Sequence, residues 1–344
     1  MHTSSLNRPL RFPSCFVVLL LLFANAATAN QCDWGDADLN GRPLSDKGPT
    51  EVSIRLYILD ITSIHDVDQS FVADVFFKAE WQDPRLAHDN PEPCSTDITQ
   101  VWTPVLQLLN RRNIERIREP EVLVSPNGDV AFILRSYGDF SFYADLTDFP
   151  FDEQQLAFRI VSSYGKDEVQ LVSGPEKVGI EERLSVANWN VSFDHIRSLI
   201  HYVPPVDKHL VRMDILLNAE RRAGYYSWQQ ILPLFLVVMM TWVVFWIPHE
   251  YVPPRVGLAA TAMLTLIAYR FAMSSVLPPI AYLTRLDIFI VGASILVYAG
   301  LATTVSVSYF CERNNEALAD RINRTARWLS PLLLVIVAGY AFFW

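Results

Sequence analysis

Six residues spaced by three or four positions, Gly257, Thr261, Leu264, Ala268, Phe271 and Ser275, fall on one face of a helix. That face is small and polar at its first end and apolar in the middle, so one end can tolerate an ion's water and the other can expel it. Such a stripe suits either a water path lined by several copies of the helix or a close packing face for a neighbouring helix. A second concentration of chemistry is Phe149-Pro150-Phe151 with Asp152 behind it. Proline fixes φ, and an aromatic-Pro bond can be held cis, so this is a turn. Its rings either tuck beneath a surface turn or rest on an apolar body. Covalent chemistry has no comparable cluster. There is no Gly-rich phosphate loop, HExxH, CxxC or GxSxG. His65, His88, His195, His201, His209 and His249 stand singly, without the spacing that gathers a metal. The expectation is a protein that is no enzyme and carries no cofactor and no metal.

The helix bearing the stripe needs a membrane to stand in. Four apolar runs, at about Tyr225–Ile247, Val256–Leu277, Asp287–Phe310 and Trp328–Trp344, each reach roughly 25–36 Å as helices, matching a hydrocarbon core of about 30 Å. At the start, Arg8 and Arg11 precede an apolar run Phe16–Phe23 and the small-x-small triplet Ala27-Thr28-Ala29, the pattern of a secretory signal peptide over residues 1–29. The organisation expected is therefore a signal, an exported domain over 30–224 and a membrane domain over 225–344. Four spans place both mature ends outside and put Arg313, Arg321, Arg324 and Arg327 on the cytoplasmic side, as the positive-inside rule requires. The expected location is the inner (plasma) membrane, with the N-terminal domain periplasmic or extracellular.

Residues 30–224 hold 32 acidic against 19 basic side chains, a net of −13, whereas 225–344 hold 5 against 7, a net of +2. An acidic outer domain attracts cations and has no use for nucleic acid. Only Cys32 and Cys94 are exported, which allows one disulfide but no disulfide framework. Alternation of apolar and polar residues from Val52 to Ile58, and the β-branched and aromatic run Phe71–Trp81, read as strands. Asn127-Gly128 supplies a hairpin turn. Further strand patterns cover Val130–Tyr137, Gln155–Ser162, Val169–Val172, Trp189–Ile196 and Val211–Asn218. About ten short strands without long helical periods imply a β-sandwich. Short helical turns are expected within Ser95–Asn110 and at Glu115–Arg118.

Several motifs then point one way. Pro253-Pro254-Arg255-Val256-Gly257-Leu258, with Thr261 and Met263-Leu264-Thr265, resembles the start of the pore helix in pentameric ligand-gated ion channels, the Cys-loop receptor superfamily, and most of all the glycine receptors there. Glu220-Arg221-Arg222-Ala223-Gly224-Tyr225-Tyr226 resembles the junction before the family's first helix, and Thr241–Ile247 that helix's end. In the exported half, Trp81-Gln82-Asp83-Pro84-Arg85-Leu86 and Trp102-Thr103-Pro104 are similar to family strand motifs. The likeness runs in order over about 50–344. Phe149-Pro150-Phe151-Asp152 resembles the tip of the family's signature loop, but Phe142 and Leu156 stand where its two cysteines belong. That departure, with the short connection Glu312–Arg327, resembles prokaryotic members without the loop disulfide.

The resemblance implies a homopentamer in membrane lipid, with five copies of the second helix around a path for monovalent ions and rings of Leu264 and Phe271 as gate. It implies a coupling layer of His65 in the loop Thr62–Gln69, of Phe149, Pro150, Phe151 and Asp152, of Arg221, and of the connection Pro278–Asp287, with contact between Asp152 and Arg221. The aromatic positions for a small-molecule agonist, in many members a cationic amine, fall on Phe76, Tyr164, Phe193 and Tyr202, while Leu109 and Ser163 depart from the pattern. Proton gating through the exported acids and His65 competes with amine gating, and a non-conducting sensor or scaffold is the rival class. At the inner mouth, Pro254 before Arg255 follows a pattern of anion channels, and Glu250 lies outside the usual acidic position. The acidic exported domain and the leaning of prokaryotic members tip the expectation to cations.

Overall fold

The computed structural model describes residues 32, 34, 39–117, 120–174, 178–248, 250–273 and 279–343. The expected signal peptide, His249 and Ser275 lie outside them. Among the described residues, twelve strands build the exported half: β1 (Thr50–His65), β2 (Ser70–Gln82), β3 (Cys94–Thr96), β4 (Leu106–Leu108), β5 (Arg111–Arg116), β6 (Glu121–Val124), β7 (Asp129–Ser141), β8 (Glu153–Gly165), β9 (Val169–Ser173), β10 (Gly179–Ile180), β11 (Trp189–Val203) and β12 (Lys208–Arg221). One sheet runs β10-β1-β2-β7-β6-β3, with β5 also on β7 and β9 on β1; the other runs β11-β12-β8-β4.

Period-two alternation explains the shared core. Val52, Ile54, Leu56 and Ile58 are buried at even positions, and then Ile61 at an odd one. The shift falls on a bulge between Ile58 and Asp60, where the extra residue resets which side chains face inward. The Trp81–Leu86 motif has a local reason too. Asp83, fully buried, accepts from the Arg85 backbone N–H and its guanidinium, at 3.1 and 2.7 Å. Gly128, at φ 83°, lets the β6–β7 turn close over it, since a Cβ there would lie 2.6 Å from the Asp83 carbonyl oxygen. Cys32 and Cys94 form a disulfide.

Two expectations need correction. Glu115 and Arg116 are not a helical turn but the end of β5, and Leu106–Leu108 is a strand within the stretch read as helical. Pairing with β7 and β8 supplies what polar local sequence did not announce.

Four helices follow: α1 (Gly224–Trp246), α2 (Val252–Met273), α3 (Arg285–Glu312) and α4 (Glu316–Phe343), each apolar and long enough to cross a membrane. α1 contains a π-helical turn at Ser227–Ile231, just before Pro233, whose missing N–H disturbs the ladder there. α2 begins before the apolar run because Pro253 and Pro254 sit in its first turn, where no N–H is needed. The connection expected over Glu312–Arg327 is mostly helix. α3 ends at Glu312, Asn314 follows in the left-handed region at φ 54°, and α4 starts two residues after it. Arg321, Arg324 and Arg327 interrupt the apolar run without interrupting a helix, since arginine is a good helix former.

Candidate functional site

The two halves meet on one guanidinium. Arg221 ends β12, and its backbone N–H donates to the Asp152 carbonyl at 3.2 Å. Its Nε and Nη2 donate to Asp152 at 2.7 and 3.0 Å, and Nη1 and Nη2 to Asp66 at 2.9 and 2.8 Å. The group lies 4.1 Å from the Trp189 ring centre and 4.9 Å from that of Phe149, and Nη1 also reaches the Tyr226 hydroxyl. Burial alone would depress this arginine, but the hydrogen bonds it donates to Asp152 and Asp66 outweigh it and hold the pKa above the usual value. One cation thus ties the β1–β2 turn, the β7–β8 loop and the start of α1. Asp66, Trp189 and Tyr226 were not singled out by the sequence. Asp66 lay within the loop named for coupling, but nothing in its neighbours marks it as a partner for a residue 155 positions away. His65 does not join this cluster; its Nε2 bonds the Ser63 hydroxyl at 2.9 Å on an exposed strand end.

The β7–β8 loop lies on the membrane helices. Phe149 is fully buried, precedes a cis Pro150, and meets the Tyr226 ring edge-on at 4.9 Å. Phe151 is half exposed and meets Phe342 of α4 at 5.9 Å. The backbone does as much as the rings. Arg285 and Leu286, in the first turn of α3, donate their N–H groups to the carbonyls of Thr147 and Phe149 at 3.0 and 3.2 Å. Thr284 and Asp287 close a capping box beneath them. The Arg285 guanidinium adds a 2.7 Å contact to Asp148, and the Tyr282 hydroxyl receives the Leu146 N–H. Where the cysteines of the resembling family would sit, Phe142 and Leu156 are buried in the core.

α2 has two faces. Arg255, Ala259, Ala262 and Leu266 are buried against the chain's own helices, whereas Gly257, Thr261, Leu264, Ala268 and Phe271 are exposed on the opposite side. Leu264 and Phe271 are 69% and 75% exposed, too much for a packing face within one chain. Pro254 and Glu250 are exposed as well. Arg255, placed by the sequence at the inner mouth with the alternative of pointing into the protein, is wholly buried: its Nη2 donates to Asn323 of α4 at 2.7 Å, and among the described residues Nε and Nη1 meet no acceptor. Asn323 in turn bonds the Phe245 carbonyl, so it bridges α1, α2 and α4.

The four aromatic positions divide between the sheets. Phe76 is on β2, with the Arg135 guanidinium 5.4 Å from its ring centre and Asp74 holding that arginine charged. Tyr164, Phe193 and Tyr202 are on the other sheet. Tyr164 accepts from the Trp102 indole at 3.0 Å; Phe193 is half buried against the core; Tyr202 is exposed and packs on His209. Their ring contacts run to other residues, so one chain does not assemble them into a cage.

Comparison with known proteins agrees with this division. The family model for the "Neurotransmitter-gated ion-channel ligand binding domain" matches residues 37–204, and that for the "Neurotransmitter-gated ion-channel transmembrane region" matches 230–338. The chain is 27% identical over 314 residues to "Gamma-aminobutyric acid receptor subunit beta" of Lymnaea stagnalis, covering 83% of this chain and 61% of that protein. It is 26% identical to "Gamma-aminobutyric acid receptor subunit gamma-1" of Homo sapiens, over 82% of this chain and 63% of that one. The corresponding beta subunit of Caenorhabditis elegans is 27% identical, over 84% and 54%. The chain thus spans about three fifths of the length of the first curated relatives it matches. A β-sandwich ligand-binding region followed by four membrane-spanning helices, both matched in order, makes the chain a multi-pass membrane protein of the neurotransmitter-gated ion-channel family, which is a family of channels and not of enzymes.

Proposed function

We propose that five copies of this chain surround an ion path lined by α2, opened when a small molecule binds where subunits meet. The division of α2 carries this reading: a hydratable stripe from Gly257 to Phe271 faces away from the chain's own core. A sensor or scaffold has no use for such a face. Rings of Leu264 and Phe271 form the closed gate by excluding water. Phe149, Pro150, Phe151, Asp152 and Arg221, joined by Asp66, carry movement of the exported domain to α1 and α3. Phe142 and Leu156 in place of cysteines favour the prokaryotic type lacking the loop disulfide.

The agonist is a small amine whose ammonium rests on aromatic faces. Phe76 lies on one sheet and Tyr164, Phe193 and Tyr202 on the other, which suits a site shared by two subunits. The relatives are named for gamma-aminobutyric acid, an amine with a carboxylate, and Arg135 beside Phe76 fits that second group. Proton gating through His65 has less support, because His65 lies outside the Arg221 cluster.

For selectivity, the buried position of Arg255 shifts the balance towards anions. Its only described side-chain partner is the neutral Asn323, so each subunit holds an uncompensated positive charge one turn from the inner mouth. No carboxylate lies on the described part of the stripe, and Glu250 precedes the helix. The exported acids favour cations, but their field is screened over about 8 Å while the mouth charge acts at close range. Planar-bilayer recordings with an amine screen and pH steps test the channel, and reversal potentials in a NaCl dilution gradient test the ion. Reversal following chloride is expected; reversal following sodium restores the cation reading. Current absent under every condition, from correctly assembled protein, overturns the channel reading.

A further inference from the structure

Along the chain His88 is far from Cys32, and the fold closes that gap. Cys94 opens β3 opposite Val124 of β6, and Cys32 joins β3 from outside by donating its N–H to the Ser95 carbonyl at 3.0 Å. The end of β6 also anchors His88, whose N–H donates to the Pro126 carbonyl at 3.1 Å and whose Nε2 donates to the Val124 carbonyl at 3.1 Å. One ring nitrogen of His88 and both sulfurs thus lie within 4.8 Å of one another, with the cysteines buried and the histidine half-buried.

His88 has the form of a ligand. Nε2 carries the proton, because a carbonyl accepts from it, and Nδ1 carries the lone pair, because the Asn90 N–H donates to it at 3.2 Å. A neutral imidazole with one nitrogen held by a carbonyl is how a metal-binding histidine is oriented. Asn90 lies in a half-buried loop, where water can take over its N–H. In the oxidised protein the two sulfurs are bonded to each other. We propose that, once a dithiol has reduced this bond, Cys32, Cys94 and His88 hold Zn²⁺, with water in the fourth position. The dithiol becomes a cyclic disulfide, and its two electrons and two protons pass to the Cys32 and Cys94 sulfurs. Zn²⁺ then displaces both thiol protons to solvent, and the two thiolates neutralise its charge, which suits a buried site. Two thiolates on one tetrahedral zinc stand roughly 3.8 Å apart. Side-chain rotation reaches that spacing from a Cα separation of 5.2 Å. Hard cations such as Ca²⁺ prefer oxygen and gain little here. Disulfide and zinc are alternative pins on one segment, and the side-chain hold on Cys32 is lost only when both are missing.

The test uses the full chain in lipid nanodiscs, with the free Cys311 changed by Cys311→Ser in every sample. The disulfide is reduced with a water-soluble phosphine, which is then removed, and Co²⁺ is titrated in as a coloured stand-in for Zn²⁺. The reduced protein gains thiolate-to-cobalt absorption that Zn²⁺ abolishes, and the oxidised protein gains none. His88→Ala weakens binding by about tenfold or more. His195→Ala, which removes an exposed histidine beside Asp194, leaves it unchanged. If His88→Ala fails to assemble, protection of Cys32 and Cys94 from iodoacetamide by Zn²⁺ in the reduced parent, read by mass spectrometry, decides. No cobalt band from folded reduced protein, an equal band from oxidised protein, equal affinity in His88→Ala, or alkylation of both thiols in excess Zn²⁺ overturns the proposal. The readouts are absorption and mass, not current, so a silent pore leaves this test standing.

Discussion

Arg221→Lys keeps the charge at the junction and removes its geometry. Four charge-assisted contacts, two to Asp152 and two to Asp66, depend on the planar fork of the guanidinium. A lysine ammonium meets at most about two of them, and at about 1.5–3 kcal/mol for a hydrogen bond to a charged group the loss is about 3–6 kcal/mol. The lower end applies if water enters beside Asp66, the less buried carboxylate, at 12% exposure. The flat stacking on Trp189 is lost as well. About 3 kcal/mol in a domain of this size corresponds to a fall in Tm of roughly 6–12 °C. Melting of the purified protein, followed by intrinsic tryptophan fluorescence, measures it, with Trp189 as a reporter against the mutated group. Arg222→Lys is the control: its side chain is exposed, its Nε donates to Asn190 at 2.7 Å and its Nη1 to the Ala187 carbonyl at 3.3 Å, both neutral acceptors. A Tm fall below about 2 °C for Arg221→Lys, with unchanged agonist response, would show that a point charge suffices and that the fork does not tie the loops.

Four further outcomes follow from the same geometry. Leu264→Ala shrinks the apolar ring and raises leak current or agonist sensitivity; unchanged gating at normal surface expression counts against the stripe. Phe151→Ser removes the contact to Phe342 and impairs opening while equilibrium agonist binding persists, so wild-type current would reduce the loop to a surface turn. Asn323→Ala strips Arg255 of its described acceptor and destabilises the protein by about 3 kcal/mol, read as a lower melting temperature of the helical half. Asp145, held below the ordinary 3.8 by the hydroxyl and backbone N–H of Thr147, contributes stability that is complete above that value and lost as pH falls through its lower folded value. Hydrogen-exchange protection in the loop, taken relative to the intrinsic rate at each pH, is therefore the same at about pH 8 and about pH 5, and a change there would assign the titration to another group.

Where side chains repeat with the period of their element, sequence and structure coincide. The even-numbered run Val52–Ile58, the four apolar spans and the two faces of α2 could all be read this way. The reading failed where partners are distant in sequence. Arg111–Arg116 carries no alternation, and only pairing with β7 makes it a strand. The side chain of Arg255 had two directions open to it, and Asn323, 68 residues on, decides between them. The arginines of α4 looked like a connection because hydropathy measures lipid contact and not helicity. Asp66 was hidden for the opposite reason: acids are so frequent in the exported half that one more carries no signal until the fold brings Arg221 to it.

The caps that the Thr147 and Phe149 carbonyls place on α3 are made by main-chain atoms on both sides. Every residue but proline offers the same N–H and every residue the same carbonyl, so this joint survives substitution of the side chains around it. The two halves can then diverge independently, one towards new agonists and the other towards new ions, and still fit. An exported domain grafted from a distant relative should seat on these helices provided its loop keeps the same backbone path, whatever residues it brings.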